Sequence, residues 1–74
     1  MTVTDDRMQK RRDTFLMHTD EKPPAEPKRW LVVWVDIDVH GTKWQEWSNY
    51  EVEDDARRRA AGMSGKVYDL DAGW

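Results

Sequence analysis

The chain has 74 residues, 12 of them basic and 15 acidic, with a formal net charge of −3 and no cysteine. That length supports at most one small domain, stabilised by packing or a partner and not by disulfides, and no overall field draws it to nucleic acid or anionic lipid. No apolar run reaches the length of a membrane span, and "MTVTDDRMQKRRD" lacks the apolar centre of a secretory signal, so a reducing cytoplasm is the expected setting.

Residues 1–29 are polar and charged. Within them "DDRMQKRRDTFLMH" has the makings of a short helix, with Asp5 or Asp6 as cap and Met8, Arg12, Phe15 and Leu16 on one side. Its apolar content is too thin to hold a helix alone, so it is expected to fray or to dock weakly through Phe15, Leu16 and Met17. "EKPPAEPK" follows, and Pro23, Pro24 and Pro27 favour an extended spacer. The segment reads as a flexible or weakly helical tail and a linker.

From Trp30 the character changes. "WLVVWVDIDVH" is β-branched and aromatic, free of Gly and Pro, and therefore reads as a strand. Gly41-Thr42 then fits a two-residue hairpin turn, and "KWQEWSNY" returns as a second strand. This turn sets Asp36 opposite Trp47, Trp34 opposite Asn49 and Val33 opposite Tyr50. A change of one residue in the loop would swap the faces of the second strand.

"VEDDARRRAAGM" is the clearest helix. Acidic Glu51, Glu53, Asp54 and Asp55 lie at its start and Arg57, Arg58 and Arg59 towards its end, in accord with the helix dipole. Glu53 with Arg57, Asp54 with Arg58 and Asp55 with Arg59 stand at supportive i, i+4 spacing, and Gly62 reads as the stop. Val52, Ala56, Ala60 and Met63 make a narrow apolar stripe that lets the helix lie close to a sheet. "KVYDLD" is a short third strand whose simplest partner is the first. The expected fold is α+β over residues 30–74: a three-stranded antiparallel sheet with one helix, in ββαβ order.

The portion from "WLVVWVDID" through "EDDARRRAAGM" to "GKVYDLDAG" resembles short proteins of actinobacterial phages and prophages. Those run as a strand, a Gly-containing turn, a Trp-rich strand, an acidic-then-basic helix and a closing strand followed by Gly. The likeness covers residues 30–74, is one of layout, and assigns no functional residue. It implies a phage-type accessory protein acting in a bacterial host cell. Residues 1–29 depart from the pattern.

Asp36, Asp38 and His40 would share one strand face at roughly 6 to 7 Å spacing. Side chains in a row diverge where metal ligands must converge, and Lys43 stands opposite His40, so no metal is assigned. The tryptophans say more. With one helix only one sheet face is covered, and small Ala56 and Ala60 suit the aliphatic layer of Leu31, Val33, Val35, Ile37 and Val39. Trp30, Val32, Trp34 and Trp47 are then left open, and an exposed aromatic cluster of this size marks a contact surface. The alternatives are a homodimer face, or cover by the N-terminal segment or by Trp74.

The basic runs Lys10–Arg12 and Arg57–Arg59 are balanced by neighbouring acids, which argues for solvated, ion-paired faces and against nucleic-acid binding. No nucleophile stands beside a base and no phosphate loop is present, so no catalytic residue and no cofactor is assigned. The reading is a protein-binding accessory protein that modulates or inhibits a host or phage partner. Trp30, Trp34 and Trp47 are its anchors, Val32 lies on the same contact face, and Asp36 and Asp38 form its polar rim. The competing classes are a nucleic-acid-directed protein, as an acidic mimic or a weak binder, and a minor structural component of the virion.

Overall fold

A computed structural model describes residues 3–72. The elements run α1 (Val3–His18), β1 (Trp30–Ile37), β2 (Lys43–Tyr50), α2 (Glu53–Met63) and β3 (Lys66–Asp69). The sheet is antiparallel in the order β2-β1-β3, so β3 does pair with β1. The fold is α+β, but it has two helices where one was expected, and the order is αββαβ. Each helix covers one face of the sheet.

The hairpin turn decides which residues face which helix. The expected two-residue turn at Gly41-Thr42 is replaced by a three-residue loop, Val39–Gly41, closed by Asp38 and Thr42. The Asp38 amide donates to the Thr42 carbonyl at 3.0 Å, and the Gly41 amide to the Asp38 carbonyl at 3.1 Å. Gly41 sits at φ 83°, the left-handed position that such a loop requires and glycine adopts freely. Asp38 fixes the loop with its side chain, Oδ1 accepting from the amides of His40 at 2.8 Å and Thr42 at 2.9 Å.

The outcome is a register offset by three residues from the expected one. Trp34 stands opposite Glu46, Asp36 opposite Trp44, and Val33 opposite Trp47. Because side chains alternate, an odd offset moves every β2 side chain to the other face. Trp47 therefore joins Leu31 and Val33.

α1 covers that face. Phe15 is fully buried against Leu31, Val33 and Leu70, with the Trp47 ring edge-on at 4.8 Å. The His18 ring stacks on Tyr68 at 3.7 Å. Arg11, one turn before Phe15, is buried as well; Nε and Nη2 donate to the two Asp71 oxygens at 2.7 and 2.9 Å, and Nη1 to the Pro27 carbonyl at 2.9 Å. Arg11, Thr14, Phe15 and His18 follow helical spacing and form the docked stripe. Leu16 and Met17, expected to help, are exposed. Asp5 and Asp6 lie within the first turns of α1 and do not precede it.

The remaining charges at this end belong to the same network. Arg29 pairs with Asp69 at 2.9 Å and approaches Asp71 at 3.8 Å. The hydrogen bond from Arg11 holds the Asp71 carboxyl below its ordinary range, and that from Arg29 does the same for Asp69.

α2 covers the opposite face. Ala56 and Ala60 are buried with Val32 and Trp34, and Trp30, Tyr50, Met63 and Val67 pack around them. Small helix residues leave room for the indoles. Of the three expected ion pairs, Glu53 with Arg57 closes, while Val52 precedes the helix and is exposed. Gly62 does not end the helix: it lies inside it, and Ser64 takes the left-handed position at φ 54°.

Candidate protein-binding surface

The expected surface lies mostly under a helix. Val32 is fully buried and Trp34 is only 7 % exposed beneath α2; Trp30 is half-buried on the same face, with the Arg29 guanidinium 5.0 Å from its ring centre. Trp47 is on the other face with Phe15. The premise that the aromatic face is left open is therefore corrected, because α2 chooses the indoles and α1 supplies the second layer. The covering by Trp74 lies outside the described residues.

The acidic pair is also separated by role. Asp36 accepts from the Trp34 indole N–H at 3.3 Å, whereas Asp38 holds the hairpin loop. The strand ends at Ile37, so Asp36, Asp38 and His40 do not share a strand face. Among the described residues no group of three or more His, Asp or Glu side chains is placed to hold a metal ion.

Of the aliphatic layer expected in the core, Leu31 and Val33 are buried, and the other three are left in water. Val35 is 63 % exposed, Ile37 60 % and Val39 95 %. The cause is the reach of the two helices. α1 ends at His18, whose carbonyl accepts from the Gln45 amide group at 3.2 Å, and Gln45 is the cross-strand neighbour of Val35. α2 buries the sheet only as far as Trp34. The hairpin continues past both helices, carrying Val35 and Ile37 on the α1 side and Asp36 and Trp44 on the α2 side.

Trp44 is 42 % exposed, and its indole N–H donates to Glu46 at 2.6 Å. Two indole N–H groups thus hold two carboxylates, Asp36 and Glu46, side by side. Indoles carry no charge, and among the described residues neither carboxylate is in an ion pair. The α2 side of the projecting hairpin is therefore anionic, while the α1 side carries Val35 and Ile37 on β1 with Gln45 and Lys43 across from them on β2.

β3 is half the length of β1. It pairs with Trp30 to Val33 and no further, so among the described residues the edge of β1 from Trp34 to Ile37 has no neighbouring strand on that side. Where β3 stops, a cavity of about 300 Å³ wraps from one face of the sheet to the other, between His18, Tyr68 and Lys66 on one side and Met63 on the other, and it reaches Val35. β-Branched alternation in "VDIDV" reads identically for a buried strand and for an exposed edge, and for that reason the sequence hid this surface.

No helix among the described residues is long and apolar enough to cross a membrane. No family model, no curated protein and no solved structure matches the chain.

Proposed function

We propose that this is a small accessory protein of phage type that works by binding another protein, and that its contact surface is the projecting half of the β1–β2 hairpin. The observation that carries the reading is the exposure of Val35, Ile37 and Val39 together, on a chain that uses both helices to cover the rest of its sheet. Exposed β-branched residues on a strand with an open edge are what proteins ordinarily avoid unless the surface has an occupant. Trp44, with its ring half in water on the opposite face of the same hairpin, is of the residue type that anchors interfaces. Trp34 supports the surface from beneath and does not itself make the contact.

Affinity capture from host lysate tests this, with wild type and a Val39→Asp, Trp44→Ser double variant side by side. A protein retained by the wild type and lost by the variant, at unchanged melting temperature, supports the reading. Equal retention, or nothing retained by either, contradicts it.

A further inference from the structure

In an antiparallel ladder the backbone groups of alternate residues face opposite neighbours. The Asp38 amide serves Thr42 of the hairpin, and the Arg29 carbonyl accepts from Leu70 at 2.8 Å. Even-numbered residues of β1 are therefore bonded toward β2, and odd-numbered ones point toward β3. β3 satisfies Leu31 and Val33, opposite Tyr68 and Lys66. It cannot continue. At Gly65 the chain crosses so close that a Cβ would lie 2.8 Å from the Val33 carbonyl oxygen, and Ser64 is already in the left-handed turn that ends α2. The amide and carbonyl of Val35 and of Ile37 are left facing the place where β3 would have run. The same two residues carry the exposed apolar side chains.

We infer that the open edge of β1 receives a strand from the partner, in line with β3, whose residues alternate between β-branched side chains on the α1 side and Lys or Arg on the α2 side. This deepens the protein-binding reading above and rests on it. Strand addition uses the backbone for affinity and alternate side chains for specificity. Val35 and Ile37 offer an apolar row to one side of the incoming strand, and the cavity at the end of β3 offers room for one further apolar side chain. On the other side the neighbour is Asp36, with Glu46 one strand further in on β2; among the described residues both are anionic and without ion pairs, which selects a cation.

The same charges select against a second copy of this chain. A two-fold pairing that uses both Val35 and Ile37 sets Val35 against Ile37 of the other copy and centres on Asp36. Two Asp36 carboxylates would then lie directly opposite each other, a destabilising arrangement. The outer edge of β2 is a poorer acceptor, since it carries Lys43, Gln45, Glu46, Ser48 and Asn49.

The test uses the full chain, labelled for amide-resolved NMR. It is titrated to millimolar concentration with a blocked seven-residue peptide alternating valine and lysine, and with the same peptide carrying glutamate for lysine. The expected result is that the Val35 and Ile37 amides shift and exchange about tenfold more slowly with the lysine peptide, and that the glutamate peptide binds at least about tenfold more weakly. Ile37→Pro removes the outward amide and leaves the bonds to β2, so it should weaken binding about fivefold. Ile37→Thr keeps the amide and should bind better than Ile37→Pro; if the proline variant unfolds, the threonine comparison with wild type and the two peptides still decides.

Shifts confined to another part of the surface, equal binding of the two peptides, or self-association that Asp36→Asn enhances and the peptide does not displace would each overturn strand addition. Capture from lysate that is lost with Val39→Asp, Trp44→Ser and unaffected by Ile37→Pro would overturn strand addition and leave the protein-binding surface standing.

Discussion

Arg11 on α1 and Asp71 beyond β3, sixty residues apart, meet in a two-pronged ion pair with both oxygens engaged, and the arginine side chain is 9 % exposed. This pair and Phe15 together hold the first helix to the sheet. Arg11→Met keeps the buried stem and removes the guanidinium, leaving Asp71 with only the longer contact to Arg29. The expected loss is about 2 kcal/mol in chemical denaturation, with α1 released before the sheet melts.

The same pair gives a pH dependence of known sign. Asp69 and Asp71 are both held below the ordinary value of 3.8 when folded, chiefly by hydrogen bonds from Arg29 and Arg11. Their contribution is complete above that value and is lost as pH falls through the folded ones. Melting temperature should therefore decline as pH is lowered below about 4, and Asp71→Asn should flatten part of that decline. An acid limb of unchanged steepness in Asp71→Asn would count against the pair.

Trp34 carries the prediction that separates core from contact surface. It is 7 % exposed, packed with Ala56 and Ala60, and the Arg59 guanidinium lies 5.3 Å from its ring centre. Trp34→Ser is expected to cost about 3 to 5 kcal/mol, enough to unfold much of a chain this small. Val39→Asp, by contrast, should leave the denaturation midpoint within about 0.5 kcal/mol of wild type.

His18 stacks on Tyr68 while its Nε2 is buried with no hydrogen-bond partner. Replacing it with a ring that has no polar atom removes the orphan and keeps the stack. His18→Phe should raise stability by about 1 kcal/mol, and His18→Ala should lower it. Thermal denaturation of the two variants checks the sign.

Much of this fold is legible in the sequence. The β-branched run from Trp30, the polar return strand and the Ala-spaced stripe of α2 place three elements, and a short third strand has β1 as its simplest neighbour. Two features resist. Asp38 holds the hairpin loop by its side chain, and this displaces the register from the one that Gly41-Thr42 suggests by an odd number of residues. α1 docks through one phenylalanine and one arginine whose carboxylate lies at the far end of the chain, and no apolar periodicity announces a helix held that way. Both features decide which face is covered, and so the exposed surface lies at Val35, Ile37, Val39 and Trp44 and not at Trp30, Val32, Trp34 and Trp47.

The most direct measurement is amide-resolved hydrogen exchange of the free protein along β1. Slow exchange is expected at Leu31, Val32, Val33, Trp34 and Asp36, whose amides point at β2 or β3, and fast exchange at Val35 and Ile37 within the same strand. Uniform protection from Leu31 to Ile37 would mean that the edge is already covered, and would contradict the account.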